Sequence, residues 1–436
     1  MKKTGALIKP QSFSFYYGYI VLFFGTIGVL ASIPGQTIGV STFTDPVKDA
    51  LGLTRDQFSL AYGIGTFVSS LFLTYAGKIY DRYGVVLSAF LSIVLLGATL
   101  ILCSYSQMIS EGLFLLFHFR HWSIPFVLMS VLFSMLRFSG QGVLTMVSRN
   151  MVMKWFDRLR GRVNSIISIS MAFGFSISPL IIDGIIQDNG WQGAWRIMAA
   201  SLVLVLILIF LFYKDNPEKY GLEVDGHSSV QTKNKAPQTS EQNFSLPEAI
   251  QTRSFWMYAL ILSFHSFFVT GFTFHVVSIY AEAGYDRDVA IGIFIPITIV
   301  STIVSFVGNI ISDWVKLKIL LYAMISGAIM ATIGLLFLQS GIGFYMVIVG
   351  FGLTGGLFAV LMSLVWPRYY GRQHLGAISG KAMSMLVMGS AAGPYLFSLS
   401  FNLSNQYGTI SYLGLALLLV IAIGSIKANS PIKKNA

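Results

Sequence analysis

Residues 77–84 read Gly-Lys-Ile-Tyr-Asp-Arg-Tyr-Gly, a short charged loop between two long apolar runs. The flanking runs, 57–77 and 84–105, each supply the roughly 20 apolar residues that a helix needs to cross the hydrocarbon core of a bilayer. The loop and its flanks therefore predict two consecutive transmembrane helices.

The composition of the 436-residue chain excludes a soluble protein. Hydrophobic residues make up 55% of the chain and charged residues 11%, and the mean hydropathy is +0.71. A soluble domain carries about a quarter charged residues, which cover its surface in water. The composition is therefore that of a polytopic membrane protein.

Twelve apolar runs are long enough to span a bilayer, six on each side of a hydrophilic stretch. We predict an all-α membrane protein with twelve transmembrane helices, in which an N-terminal half (1–213) and a C-terminal half (254–436) flank a linker (214–253). The predicted spans, numbered 1 to 12, are 17–40, 57–77, 84–105, 123–148, 164–186, 194–213, 255–280, 289–311, 318–339, 343–366, 376–399 and 409–427.

The basic residues are unevenly distributed over the predicted loops. If both termini are cytoplasmic, the inner segments hold 22 of the 29 lysines and arginines and the outer loops hold five, while Arg137 and Lys381 fall within spans. The positive-inside rule then predicts that both termini and the linker are cytoplasmic, in the inner (plasma) membrane of the cell. This distribution also explains the net charge of +11 without a nucleic-acid partner.

The sequence lacks the residues that several other classes of protein require. Cys103 is the only cysteine, which excludes an intramolecular disulfide and a multi-cysteine metal site. No Gly-x-Ser-x-Gly, His-Glu-x-x-His or Walker motif is present, so we expect neither an enzyme nor a chain that hydrolyses ATP. We expect no cofactor and no metal.

Two sequence patterns occur once in each half. In the first pattern an aspartate lies four residues after the first residue of the pattern. In the second pattern a proline lies eighteen residues after a glycine. The copies are Gly77 to Asp81 and Asn309 to Asp313, and Gly161 to Pro179 and Gly376 to Pro394. Internal duplication of this kind is common in secondary transporters. Pro179 and Pro394, like Pro34 in span 1, predict helix kinks.

The first copy resembles a known signature. The loop Gly77-x-x-x-Asp81-Arg82-x-Gly84 is similar to the sequence between spans 2 and 3 of the major facilitator superfamily. The resemblance implies the major facilitator fold and a gating role for these four residues, with the Asp81 carboxylate near helix N-termini and basic partners. Asp313 is the corresponding gating candidate in the second copy, which lacks the first glycine and the arginine.

Further motifs resemble the bacterial monocarboxylate porter and oxalate:formate antiporter branch of that superfamily. They occupy residues 45–52, 137–142, 154–161 and 371–378. The resemblance implies a small carboxylate as the substrate. The oxalate exchanger type has an arginine in span 8, whereas span 8 here contains no charged residue, which disfavours oxalate itself.

Arg137 is placed near the middle of span 4, with Gln141 and Thr145 on the same helix face. A charge at the bilayer centre costs at least about 2.5–3.5 kcal/mol. Two interpretations are open: Arg137 holds neighbouring helices together, or its guanidinium binds a carboxylate through paired hydrogen bonds. We predict that Arg137 and Gln141 bind the substrate.

Three further polar residues belong to the predicted substrate site. Lys381 lies near the start of span 11, where it assists anion binding or reaches the interface. His265 lies near the centre of span 7 and is either a packing residue or, since no acid occupies the middle of any span, the candidate for proton transfer. Gln36 follows Pro34, which interrupts span 1. Either the interruption places Gln36 in the polar wall of a cavity, or the bend is needed for helix packing alone.

Residues 106–122 lengthen the connection between spans 3 and 4. The apolar run within them is too short to cross a bilayer. We predict an amphipathic segment that lies in the membrane interface.

Taken with the resemblance, these residues favour a secondary active transporter of a small organic anion, a monocarboxylate, that works as a symporter or antiporter. The expected partners are a small-molecule substrate, protons and the lipid bilayer, with no nucleic acid, and we expect a monomer. Two alternatives stay open. They are a drug or neutral-metabolite efflux carrier of the same superfamily, and a nutrient sensor that binds without transport.

Overall fold

The computed structural model describes residues 9–226 and 243–432, which form helices and contain no β-strand. The all-α prediction is therefore confirmed. The α-helices are α1 Gly18–Leu30, α2 Thr37–Ser41, α3 Thr44–Leu51, α4 Arg55–Tyr83, α5 Val85–Ser104, α6 Ser106–Phe117, α7 Ser123–Leu136, α8 Thr145–Trp155, α9 Arg160–Phe212, α10 Leu246–Ile250, α11 Arg253–Glu282, α12 Arg287–Gly292, α13 Phe294–Ile311, α14 Leu317–Leu336, α15 Gly341–Tyr370, α16 Leu375–Ser404 and α17 Ile410–Ser425.

Eleven helical stretches in the described part of the chain are long and apolar enough to cross a membrane. One of them, α9, covers both predicted spans 5 and 6. The backbone of α9 leaves the helical conformation at Gly190, where φ is 70° and ψ is 167°, a left-handed conformation that favours glycine. Because α9 is thus two consecutive spans, the eleven stretches account for the twelve predicted ones.

The helix that carries the 77–84 motif, α4, has clear signals at both ends. Thr54 Oγ1 accepts a hydrogen bond from the backbone N of Gln57 at 3.2 Å, and Gln57 Oε1 accepts one from the backbone N of Thr54 at 2.9 Å, which is a capping box. Gly84 ends the helix with φ at 89°. The predicted loop is therefore wrong in extent: Asp81 lies on α4, because no residue before Gly84 breaks the helix.

Two spans depart from regular α-helical geometry. Span 1 is divided into α1, a 3₁₀ turn at Ile33–Gly35 and α2. Span 4 passes from α7 into a π-helical segment, Arg137–Leu144, and then into α8. π-Helical turns are rare and frequent at functional sites. Span 4 also continues to Trp155 instead of ending at residue 148.

The described residues form two compact units. Unit 1 contains residues 9–157, 170–226 and 379–381, and unit 2 contains residues 158–169, 243–378 and 382–432. Within unit 1, α4 packs on α7 and α1 packs on α8; within unit 2, α15 packs on α13 and α14. The division of the chain at residues 213 and 254 stays a prediction.

The segments outside the predicted spans are partly helical. In the predicted linker, 3₁₀ turns occupy Pro217–Tyr220 and Val224–Gly226, α10 follows later, and residues 227–242 lie outside the described residues. The 106–122 segment is helical over α6, whose last residues expose large apolar side chains.

Candidate functional site

The break in span 1 holds the side chain of Arg137. The 3₁₀ turn that contains Pro34 ends at Gly35, and the backbone of Gln36 is extended, with φ at −84° and ψ at 156°, so the carbonyl of Gly35 is available to a side chain. Arg137 Nη1 donates to this carbonyl at 3.1 Å and to Thr37 Oγ1 at 3.2 Å, and the guanidinium lies 5.1 Å from the centre of the Tyr62 ring. Arg137 is 1% exposed, and its Nε has no hydrogen-bond partner.

A hydrogen-bonded group continues from Arg137 along the same two spans. Gln36 Nε2 donates to Ser32 Oγ at 2.9 Å and to Thr145 Oγ1 at 3.1 Å, and the two hydroxyls are 3.0 Å apart. The buried Oε1 of Gln141 has no hydrogen-bond partner. The structure thus places Arg137, Gln141 and Gln36 in one polar region of unit 1, with two polar atoms unsatisfied.

Two glycines allow the two spans to approach this closely. A Cβ atom on Gly35 would lie 2.4 Å from the carbonyl oxygen of Leu136 and 2.7 Å from Cα of Gly140. Gly140 belongs to the π-helical segment. The backbones therefore meet where span 1 is broken and span 4 is widened. This contact could not be predicted from the sequence, in which the two glycines were the only signal.

Lys381 belongs to unit 1, in the short segment 379–381. The hydroxyl of Ser379 accepts a hydrogen bond from Asn150 Nδ2 at 2.7 Å. A Cβ on Gly380 would lie 2.6 Å from the carbonyl oxygen of Leu73 and 3.4 Å from Cα of Gly77. Lys381 itself is half-buried, and no described residue forms an ion pair or hydrogen bond with its ammonium.

His265 lies in unit 2, on α11. Its ring is 4.8 Å from that of Phe358, and a Cβ on Gly355 would lie 3.9 Å from the imidazole and 3.0 Å from Ser301 Oγ. Among the described residues none hydrogen-bonds to its ring nitrogens. His275, on the same helix, is hydrogen-bonded: its Nε2 donates to the carbonyl of Pro394 at 3.0 Å.

Two of the three predicted kink prolines lie inside α-helices. Pro179 is within α9 and Pro394 within α16, and neither helix is interrupted at the proline. Pro34 alone coincides with a change of helix type.

The end of α4 meets a carboxylate that sequence reasoning missed. Asp215 Oδ1 accepts a hydrogen bond from the backbone N of Val85 at 2.7 Å, at the N-terminus of α5, and Oδ2 lies 2.9 Å from Lys219 Nζ. A Cβ on Gly84 would lie 2.8 Å from this carboxylate. Arg82 is exposed, with its guanidinium 5.2 Å from the centre of the Tyr83 ring. An aspartate therefore does cap a helix N-terminus at this motif, and it comes from the linker.

Asp313, in the second copy of the motif, is buried in unit 2. Its Oδ1 lies 2.8 Å from Arg368 Nη2 and accepts a hydrogen bond from the backbone N of Gly161 at 3.1 Å. Burial raises the pKa of the Asp313 carboxyl, and Arg368 and Gly161 oppose part of that rise. Sequence reasoning missed Arg368, which supplies the positive charge that the second copy of the motif lacks.

Asn309 stands where the first copy of this motif has a glycine. Its Oδ1 accepts a hydrogen bond from Asn164 Nδ2 at 2.8 Å, and its own amide donates to the Ser305 carbonyl at 2.8 Å. The second motif is therefore tied to the beginning of α9 by side-chain hydrogen bonds, and Gly161 has no space for a Cβ beside the Asn309 carbonyl.

Long apolar helices with buried cations and amides between them define a polytopic membrane protein with polar interior sites, the class to which carriers belong. The sequence profile of the Major Facilitator Superfamily matches residues 14–394. The chain therefore belongs to this superfamily of transporters.

Solved structures of other proteins share the fold. A double-tryptophan mutant of XylE aligns with a TM-score of 0.66 at 15% identity, over 96% of this chain and 97% of that one. The E. coli fucose:proton symporter FucP aligns with 0.61 at 11%, over 95% and 100%, and the human organic anion transporter MFSD10 (TETRAN) with 0.61 at 14%, over 94% and 99%. These identities show a common fold alone. No curated protein matches the sequence.

Proposed function

We propose that this chain is a secondary active transporter that carries a small organic anion, a monocarboxylate, by alternating access. Membership in a superfamily of transporters supports transport over enzymatic activity. The distribution of basic residues supports a position in the inner plasma membrane with both termini and the linker in the cytoplasm. The branch motifs and the interior cations support an anionic substrate.

The observation that carries the proposal is the buried charge of Arg137. No carboxylate among residues 9–226 and 243–432 pairs with its guanidinium, which is 1% exposed. The bonds to Gly35 and Thr37 satisfy part of the group but supply no negative charge. An uncompensated charge within a membrane is costly, and a bound carboxylate would remove part of that cost through the free Nε–H.

Unsatisfied polar groups support a binding region around Arg137. The free Oε1 of Gln141 can accept a hydrogen bond from a hydroxyl of the substrate. Gln36 is fixed by Ser32 and Thr145, so it is pre-arranged as a wall of the region. Lys381, in the same unit, offers a second cation without an ion-pair partner among the described residues.

His265 is our candidate for proton coupling. It lies within a membrane span, and no hydrogen bond in the described part of the chain fixes its tautomer. An imidazole titrates near neutral pH when unperturbed. Gating is assigned to Gly77, Asp81, Arg82 and Gly84 in the first motif and to Asp313 in the second.

A neutral substrate is the second candidate, because the guanidinium of Arg137 already bonds to a backbone carbonyl and a hydroxyl. In that case Arg137 holds span 1 against span 4, and Gln36 and Gln141 bind a polar, uncharged solute. Two proteins that share the fold take neutral sugars: XylE is a proton:xylose symporter and FucP is a fucose:proton symporter.

Uptake into proteoliposomes separates these candidates. The purified protein is tested with radiolabelled monocarboxylates and matched neutral solutes, with and without a pH gradient. We expect uptake of a carboxylate, and we expect the pH gradient to increase this uptake. In the His265→Gln variant the gradient should no longer increase it. Arg137→Gln should abolish thermal stabilisation by that carboxylate, and Arg137→Lys should restore it partly, because a point charge cannot form the paired bonds of a guanidinium.

Arg55→Gln is the matched control, since it removes an exposed guanidinium that pairs with Asp45. It should leave both uptake and stabilisation at the wild-type level. Normal carboxylate transport by Arg137→Gln would contradict the proposal and assign Arg137 to packing. Uptake of neutral solutes alone would favour the second candidate.

A further inference from the structure

A cleft of about 360 Å³ lies in unit 1 between α3, α6 and the segment 118–122. None of the residues assigned above to substrate binding or gating lines it. Its volume is within the range of small-ligand sites. The polar residues that line it are Asp49, Gln107, Ser110, Glu111, Arg120 and His121.

One face of α6 turns toward this cleft. Gln107, Ser110, Glu111 and Phe114 recur at the three- and four-residue spacing that places side chains on one side of a helix. Ser110 is 3% exposed, and its Oγ has no hydrogen-bond partner. A buried hydroxyl without a partner is unfavourable, so a ligand that bonds to Ser110 would remove this cost.

Two carboxylates share the cleft with that hydroxyl. Asp49 Oδ1 accepts from Lys48 Nζ at 2.6 Å, and Glu111 Oε1 accepts a long bond of 3.5 Å from Gln107 Nε2. Each carboxylate has several lone pairs, so both can accept further hydrogen bonds. With Ser110 the cleft offers three separate acceptor groups, which matches the three N–H donors of a primary ammonium.

The cleft also contains a cation for an anionic group. The Arg120 guanidinium lies 5.5 Å from the centre of the Phe114 ring, and no carboxylate of the described residues forms an ion pair with it. A guanidinium has five donors in a planar arrangement that fits phosphate. The cleft therefore complements a ligand with both an ammonium and a phosphate.

The surroundings of the cleft indicate that the ligand has acyl chains. Leu115 and Leu116, at the end of α6, are 76% and 70% exposed, and Trp122 on the cleft rim is 46% exposed. In a membrane protein, large exposed apolar residues on a short helix face the acyl chains, and tryptophan lies at the level of the headgroups.

We propose that this cleft binds an amine-bearing zwitterionic phospholipid, of the phosphatidylethanolamine type. Its ammonium is bonded by Asp49, Ser110 and Glu111, its phosphate lies on Arg120, and its acyl chains follow the apolar end of α6. The site is independent of the transport substrate, so its failure would leave the proposed function intact.

Native mass spectrometry of the full-length protein tests this site. Phosphatidylethanolamine, phosphatidylcholine and phosphatidylglycerol with identical acyl chains are titrated separately. We expect about tenfold tighter binding of phosphatidylethanolamine than of phosphatidylcholine, because a trimethylated ammonium donates no hydrogen bonds. Asp49→Asn with Glu111→Gln should abolish this preference, Ser110→Ala should reduce it, and Arg120→Gln should weaken all three lipids.

Asp56→Asn is the matched control, because Asp56 is an exposed carboxylate near the start of α4 that does not line the cleft. It should keep the wild-type preference. Equal binding of the two zwitterionic lipids by the wild type, or an unchanged preference in the Asp49 and Glu111 double variant, would overturn the proposal. Soluble glycerophosphoethanolamine should not compete at the same concentration; equal competition would show a site for a soluble zwitterion. Because each lipid is titrated into an aliquot of the same preparation, the ratio of two affinities is insensitive to the amount of folded protein.

Discussion

Replacing Arg368 by glutamine should destabilise the protein far more than replacing Arg55, although both arginines pair with an aspartate at nearly the same distance. Arg368 Nη2 lies 2.8 Å from Asp313 Oδ1, and both side chains are 8% exposed. Arg55 Nη2 lies 2.7 Å from Asp45 Oδ1, with side-chain exposures of 67% and 61%. The two pairs therefore differ mainly in burial.

Burial sets the magnitude of each effect. Removing one partner of a buried ion pair costs about 3–5 kcal/mol, because the remaining charge has neither water nor a counter-ion. Removing one partner of an exposed pair costs about 0–1 kcal/mol. Asp313 would keep the Gly161 hydrogen bond, while its Oδ2 already has no hydrogen-bond partner. We expect a loss near 3 kcal/mol or more for Arg368→Gln, and below about 1 kcal/mol for Arg55→Gln.

The pH dependence gives a second test of the same pair. Burial already raises the pKa of Asp313, and Arg368 opposes that rise, so removing Arg368 should raise the pKa further. A carboxyl with a raised pKa in the folded state stabilises the fold when protonated, and this contribution is lost as the pH rises through the folded-state pKa. The deficit of Arg368→Gln should therefore shrink on acidification. Asp313→Asn in the same chain should recover much of it at neutral pH.

The measurement is the free energy of unfolding in mixed detergent micelles, followed by tryptophan fluorescence. It compares the wild type, the two arginine variants and the Arg368→Gln, Asp313→Asn double variant at neutral and acid pH. Equal losses for the two arginine variants, or a double variant no more stable than Arg368→Gln, would refute the reasoning from burial.

Three further outcomes are expected. Asp81→Asn should slow transport while equilibrium substrate affinity stays nearly constant, because Asp81 lies in the last turn of α4; a loss of binding would contradict the proposed gating role. Gly35→Ala should cost about 1–3 kcal/mol of stability through overpacking, whereas Gly63→Ala, whose added Cβ meets nothing within 4 Å, should cost none. Ser229 lies outside the described residues and in the predicted cytoplasmic linker. In a Ser229→Cys, Cys103→Ser double variant, an impermeant thiol reagent added to intact cells should not label the introduced cysteine; rapid labelling would reverse the proposed orientation.

The spans could be predicted because the bilayer imposes both a length and an apolar composition on each of them. Their exact ends could not, because charged residues at a membrane surface are compatible with helix. Asp81 therefore lies on α4, and the polar residues between spans 5 and 6 stay helical except at Gly190. Gly84, whose φ is 89°, marks the end of α4.

Arg137 could be predicted as a candidate site residue because a charge in an apolar run is costly. Its partners could not, since its bonds to Gly35 and Thr37 depend on how spans 1 and 4 pack. Arg368 and Asp215 gave no signal, because charged residues are ordinary outside the apolar runs. Their importance arises from burial and from the helix N-terminus beside them, which are properties of the tertiary structure.

The π-helical segment of span 4 also makes this part of the chain intolerant of changes in length. Each residue of an α-helix turns the chain by about 100°, and a π-helical turn contains more residues than an α-helical turn. The π-helical segment therefore determines the direction in which the side chains of α8 project. Arg137 at the start of the segment reaches Gly35, and Asn150 beyond it reaches Ser379. Deleting one residue between Arg137 and Asn150 would keep both residues on a helix. It would also rotate one side chain relative to the other, so that they could no longer both reach these partners. Homologous sequences that keep both contacts should therefore show substitutions in this segment but no insertions or deletions.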